Sequence, residues 1–288
     1  MHAILSDNDR AEEFTAVIGA DGVASQVRKL AFDKAAIRDC YKQTDTYCAY
    51  FSMHVDPAQR ATHSRLQHAY KGRVIWLRPI DRHGIRASCY FIVTSENVPE
   101  LREAVKRGSE QEQKAVMEKL FRNVDGLREM AVQGMLECDD FYCTRVVQVK
   151  LDSWHSNRCA LVGDAGYCPS PLTGQGTTLA LIGAYIVAGE LASNPSDPAA
   201  AFARYKERFE DFVQEEGSIP LGGRAPRLFN PQSKLGVSTL RSIFWTVARP
   251  EVQKLLNSLP SLPSLGGPHK KFQLPKYDFD VQWLEKKV

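Results

Sequence analysis

Two acidic residues stand in the same local setting. Asp21 follows the apolar run "AVIGA" and Asp164 follows "CALVG"; in each case a glycine ends the run and a helix-forming stretch begins a little further on. A carboxylate at the end of a buried strand can accept hydrogen bonds from a polyhydroxyl chain, and a charged acceptor makes such bonds roughly twice as strong as a neutral one. Within "GDAGYCPSPLTGQGTT", Gly174 and Gly176 remove side chains, so backbone N–H groups can approach a flat ring edge. A helix starting there points its positive end at that edge and stabilises negative charge developing on it. Either segment alone reads better as an acid capping a loop beside a glycine turn, since such turns before helices are common in α/β proteins. Two such loops in one chain favour the ligand. Asp21 and Arg28 also admit a plain loop-to-helix ion pair, worth roughly 0–1 kcal/mol when exposed.

Ligands of open α/β sheets sit outside the carboxyl ends of strands, so both acids belong at one rim. "FTAVIGADG" reads as a short strand entering a turn, and "SQVRKLAF" as a serine N-cap and short helix. "YCAYFSMHV", "RVIWLRPI" and "RASCYFIVT" predict an antiparallel sheet, with Tyr47, Tyr50, Phe51, Trp76, Tyr90 and Phe91 alternating between its faces. From Pro99 to about Met135 the composition is helical, and Val116, Leu120 and Val124 recur at spacings of four. "FYCTRVVQVKL" then returns the chain to "CALVGDAG". A helix near Gly174, the amphipathic "PAAAFARYKERFEDFVQEE" and the Pro250-interrupted "TLRSIFWTVARPEVQKLL" follow, and the Pro/Gly-rich tail "SLPSLGGPHKKFQLPKYDF" is expected to lie extended over the surface.

The chain has 288 residues, 43% of them hydrophobic, enough to bury one large or two modest domains. A net charge of only +3, without a basic block, gives nucleic-acid binding no electrostatic support. Seven cysteines with no CxxC pair fit free thiols in a reducing, cytoplasmic setting rather than a zinc site. No secretory leader is read at the start. The least polar stretch, Thr177 to Ala192, is shorter than the ~20 residues of a membrane span and contains Glu190. His63 and His68, five apart, match neither face of a helix as a metal pair and read as surface histidines.

The two acid-bearing segments resemble the second and third fingerprints of the FAD-dependent aromatic hydroxylases, the single-component flavoprotein monooxygenases. "GADGVASQVR" is similar to the family's DG motif and "VGDAGYCPSPLTGQGTT" to its GD motif. The resemblance implies an α/β (α+β) fold with a Rossmann-like FAD-binding layer, an antiparallel substrate-domain sheet and C-terminal helices. It implies that Asp164 binds the ribityl hydroxyls of FAD, with Gly163 and Ala165 shaping the loop. Pro171, Gly174, Gln175, Gly176 and Thr177 would face the isoalloxazine ring. Asp21, Gly22 and Arg28 would serve the pyrophosphate region and the reduced nicotinamide. NAD(P)H and O2 are then the co-reactants, and an aromatic or polyketide-like small molecule is the substrate, roofed by the sheet at residues such as Tyr50 and Tyr90. Halogenases and epoxidases are related possibilities.

Departures accompany the match. Tyr167 and Gly166 replace the usual His and Ala, as in the tetracycline-modifying and natural-product hydroxylases; Tyr167 either binds substrate or flavin or packs as a half-buried aromatic. Cys168, without a histidine partner, reads as structural. No GxGxxG turn occurs, so the chain is expected to match the C-terminal portion of such an enzyme. The domains read as 1–32 (FAD-binding remnant), 33–157 (substrate sheet), 158–192 (GD motif and helix) and 193–288 (C-terminal helices and tail). The strands "AVIG" and "CALV" would then have open edges, giving self-association or pairing with a missing N-terminal half. FAD would be held poorly or not at all. The alternative is a non-catalytic remnant or half-enzyme acting as an interaction protein.

Overall fold

The computed structural model describes residues 2–5, 10–60, 62–219, 225–253 and 272–279. Two compact units are present, one of Met1–Lys42, Val147–Ile219 and Pro268–Val288, the other of Gln43–Val146 and Pro220–Gly267. The fold class is mixed helix and sheet, as the sequence predicts.

The chain opens with an antiparallel hairpin, β1 (His2–Leu5) and β2 (Arg10–Glu13), which the sequence pattern did not reveal. β3 (Val17–Gly19) follows and leads into α1 (Gln26–Ala31). The Ser25 hydroxyl caps that helix by accepting the Arg28 N–H at 2.9 Å. α2 (Lys34–Ile37) is capped by Asp33 in the same way.

The second unit is built on a five-stranded sheet. β4 (Tyr41–His54), β5 (Arg65–Ala69), β6 (Arg73–Pro79), β7 (Arg86–Thr94) and β8 (Tyr142–Val149) take the order β5-β6-β7-β4-β8. Three of these strands match the extended runs in the sequence. β8 comes from "FYCTRVVQVKL", and β5 is new. α3 (Pro99–Arg107), α4 (Glu110–Phe121) and α5 (Arg128–Glu137) contribute with one face of the sheet to a single core. Strand alternation places Tyr47, Phe51, Ile75 and Phe91 in that core. The stripe buried by α4 is Gln113, Met117 and Phe121; Val116 and Leu120 flank it, and Val124 is buried just beyond the helix end.

Back in the first unit, β9 (His155–Ser156) and β10 (Cys159–Leu161) complete a sheet of order β3-β10-β9. β3 and β10 are parallel, Val17 opposite Cys159 and Gly19 opposite Leu161, so their carboxyl ends finish level. α6 (Asp164–Tyr167), α7 (Gly176–Ser193) and α8 (Pro198–Glu216) follow. Trp154, Tyr167, Tyr205 and Phe209 form an aromatic cluster beside Leu161, Leu179 and Ile186. By length and composition α7 could cross a membrane, yet it buries Leu179, Gly183, Ile186, Val187, Gly189 and Glu190 inside the protein. Glu190 accepts from Arg204 at 3.0 Å, Arg208 at 2.6 Å and the Tyr277 hydroxyl at 2.7 Å.

Two further helices, α9 (Ala225–Phe229) and α10 (Lys234–Val247), belong to the second unit. Phe272–Phe279 has no helix or strand and lies along α7 and α8, with Phe272 against Phe209 and Phe212 and the Tyr277 ring over Gly189. The remainder of the tail singled out in the sequence, 261–271, lies outside the described residues, as does the stretch of "TLRSIFWTVARPEVQKLL" beyond residue 253.

Candidate functional site

Level carboxyl ends of β3 and β10 place the two acid-bearing loops side by side. A cleft of about 640 Å³ opens there, lined among others by Ala20, Gly22, Gly163, Asp164, Pro171, Gly174, Gly176 and Thr177. Asp164 is exposed in it, the first residue of α6. Gly163, immediately before, has φ 64° and ψ −140°, a backbone conformation that residues with a Cβ rarely reach. A Cβ added at Gly22 or Gly174 would meet nothing within 4 Å, and one at Gly176 only Pro169 Cγ at 3.9 Å, so these glycines border open space.

No side chain caps the start of α7, so its first N–H groups are left for solvent or a ligand. Ser170, on the loop before it, is buried with φ 80°, a strained position for a residue with a side chain. Such strain costs about 1–3 kcal/mol and gathers at functional sites. The arrangement suits a ligand with a polyhydroxyl arm for Asp164 and a flat, electron-accepting ring at the helix terminus.

Several residues singled out in the sequence sit elsewhere. Asp21 is not in the cleft lining. Its carboxylate accepts from the N–H groups of Gln26 at 2.6 Å and Val27 at 3.1 Å and so caps α1. Partial burial opposes its ionisation, but bonds from Ser25, Val27 and Gln26 outweigh this and hold its pKa below the usual 3.8. Arg28 is neither an exposed ligand contact nor the partner of Asp21. It is 1% exposed, and its guanidinium donates to the carbonyls of Ala165 and Val23 and to the Tyr41 hydroxyl, each at 2.5 Å. The arginine thus ties the loop after β3 to the loop after β10, a positioning role.

Ala165 is buried and contributes that carbonyl, while Gln175 is half-buried at the N-cap of α7, outside the lining. Tyr167 does not reach the cleft. Its hydroxyl bonds Tyr205 at 2.9 Å, and it lies where a Cβ on Gly183 would be, 2.0 Å away. It is a core aromatic. Cys168 does line the cleft, but burial pushes its thiol up to about 11, which leaves it a poor nucleophile. His68, read as a surface residue, is half-buried, and both of its ring nitrogens are buried without a partner.

The reading from sequence missed Ala180, Leu181 and Ala184, which form the α7 wall of the cleft. The small residues Ala180 and Ala184, one turn apart, were the available signal.

In the second unit, register decides which aromatics share the face away from α3, α4 and α5. Trp76 pairs with Tyr90 and Tyr90 with Tyr50 across β6, β7 and β4. Their rings form a row, Trp76 stacked on Tyr90 at 4.9 Å and Tyr90 edge-on to Tyr50 at 5.3 Å, and Tyr142 of β8 continues it at 6.2 Å from Tyr50. Burial, together with neighbouring Cys48, pushes the Tyr50 hydroxyl well up, so it remains a neutral hydrogen-bonding group.

A family model described as an FAD binding domain matches residues 2–215. Among curated relatives, "Monooxygenase CTB7" of Cercospora beticola is 49% identical over 278 residues, covering 96% of this chain and 64% of its own length. A "Flavin-dependent monooxygenase" of Legionella longbeachae is 33% identical over 214 residues, covering 73% of this chain and 51% of the relative. The solved structure of tetracycline destructase Tet(55) aligns with a TM-score of 0.67 at 30% identity, covering 94% of this chain and 65% of that one. The chain therefore spans less than two thirds of the length of these relatives. With the parallel β3–β10 pair, the Asp164 cleft and a family model matching most of the chain, the protein belongs to the FAD-binding-domain family of flavin-dependent monooxygenases.

Proposed function

We propose that this protein serves a flavin-dependent monooxygenation in which NAD(P)H supplies two electrons, one atom of O2 enters an aromatic or polyketide-like small molecule, and the other leaves as water. The observation that carries the proposal is the exposed Asp164 carboxylate on a glycine-bordered cleft at the start of α7. The residues present fit FAD. Asp164 would hold the ribityl hydroxyls, Gly174, Gly176 and Thr177 would approach the ring edge through backbone, and Gly22 would leave room for the polar linker. Bound there, FAD supplies the redox chemistry.

The chain's own residues bind and orient. The α7 terminus stabilises negative charge at the ring edge, Ala180 and Ala184 leave room for the ring along one wall, and Arg28 holds the two loops in register. The Trp76–Tyr90–Tyr50 row offers neutral aromatic faces and edges for an aromatic substrate. The name of one structural relative, a tetracycline destructase, supports a polycyclic substrate, and a place in secondary metabolism is part of the same proposal. A cytoplasmic location accords with seven free cysteines. The comparisons do not favour a non-catalytic remnant.

β3 is an edge strand with Ile18 exposed, and Leu181 is exposed on α7. We infer that a further polypeptide segment, or a second copy, pairs there. The experiment for the function is O2 uptake with added FAD and NADPH over a panel of phenols and polyketides. The reading expects uptake that depends on substrate and a product gaining one oxygen atom. NADPH oxidation unaffected by any substrate, and equally fast in Asp164→Ala, would contradict it.

A further inference from the structure

α10 carries one apolar stripe whose two halves have different surroundings. Val237 is buried and Leu240 half-buried against the second unit, whereas Ile243, Phe244 and Val247, continuing the same stripe, are 53%, 49% and 41% exposed. From Arg241 to Arg249 every residue is exposed, including Trp245. The root of the helix is fixed. Asn230 donates to the Thr94 hydroxyl, Gln232 to the Thr94 carbonyl, and the N–H groups of Lys71 and Gly72 to Gln232 and Pro231. An amphipathic segment is thus held rigidly at one end and projected at the other.

Basic charge predominates along it, and the one acid nearby in sequence, Glu251, follows just past Arg249. No Asp or Glu occurs from Gly217 to Pro250, while Lys234, Arg241 and Arg249 flank the stripe. Among the described residues none of these three has a carboxylate partner. Lys234 lies over the Tyr70 ring, Arg241 reaches the His68 carbonyl, and Arg249 stacks on Trp245 at 3.7 Å. Exposed Trp, Phe and Ile beside unpaired arginine is the chemistry of a helix lying in the headgroup region of an anionic bilayer, where apolar side chains enter the acyl boundary and cations meet lipid phosphate. A second copy of this basic stripe would be repelled rather than attracted. We propose that α10 docks the protein peripherally on anionic membrane surfaces, bringing it to apolar molecules that partition there.

The test is co-sedimentation of the full chain with phosphatidylcholine vesicles, with and without a minority of phosphatidylserine, at low and high salt. Binding is expected only with phosphatidylserine and should weaken with salt. Arg241→Gln and Arg249→Gln are each expected to lower the partition coefficient about fivefold, and Phe244→Ser with Ile243→Ser to lower it about tenfold or more. These side chains are exposed, so unfolding midpoints should not move, and a blue shift of tryptophan fluorescence that Trp245→Phe removes should accompany binding. Equal or absent sedimentation with both vesicle types would overturn the proposal. So would a concentration-dependent dimer, abolished by Phe244→Ser, in a protein that binds no vesicles.

Discussion

Replacing Arg28 by Met separates a loop-positioning arginine from one that contacts a ligand. The guanidinium makes three bonds, to Ala165 O, Val23 O and Tyr41 Oη, inside a site that is 1% exposed. Hydrogen bonds to charged groups contribute about 1.5–3 kcal/mol each, and an orphaned buried acceptor costs about 1–3 kcal/mol. Removing the charge also removes its desolvation penalty, which offsets part of the sum. A net loss of about 3 kcal/mol results, of which Lys at this position, reaching one acceptor, should recover about 1. Urea unfolding of the ligand-free protein followed by tryptophan fluorescence measures this, since Trp154 lies in the core of the first unit. If Arg28 instead faced a ligand, Arg28→Met would leave ligand-free stability within about 0.5 kcal/mol of wild type; that outcome would refute the positioning role.

Other consequences can be checked with the same assay. Gly183→Ala drives a Cβ against the Tyr167 hydroxyl and should cost about 1–3 kcal/mol as an overpacked core, with Tyr167→Phe in the same background restoring part of it. Glu190→Ala leaves Arg204 and Arg208 without their acceptor; because both arginines are partly exposed, the expected loss is about 2 kcal/mol, and Tyr277→Phe alone should cost about 1. His68 has its pKa lowered by burial and then by Arg241. Below the free value of 6.5 the unfolded chain binds a proton that the folded chain refuses, so stability falls as pH drops from there until the folded imidazole is also protonated. His68→Gln should flatten that part of the unfolding-midpoint profile.

Local signals carried much of the architecture. Ser25 before a helical run, glycine after "AVI" and "CALV", and the uncharged stretch after Gly176 are each set by residues a few positions apart, and each appears where the sequence puts it. Information was lost where the partner is remote. Nothing near Arg28 says that its guanidinium turns inward, because the deciding acceptor, Ala165 O, is 137 residues away. Alternation in β4 separates Tyr47 from Tyr50 but does not say which is core; the helices packed on one face of the sheet settle that. The motif left Tyr167 open between ligand contact and packing, and Gly183 and Tyr205 settle it by giving the ring a buried slot. Glu190 entered only as a charge in an apolar stretch, since Arg204, Arg208 and Tyr277 meet it through tertiary structure.

The measurement closest to the central claim is a titration of the purified chain with FAD, wild type against Asp164→Ala, followed by flavin fluorescence. With no GxGxxG turn in the chain, binding is expected to be weak and saturable rather than stoichiometric on purification. Loss of one charged hydrogen-bond acceptor should weaken it about tenfold or more. Identical curves for the two proteins, or no saturable binding by the wild type, would contradict the assignment of the cleft.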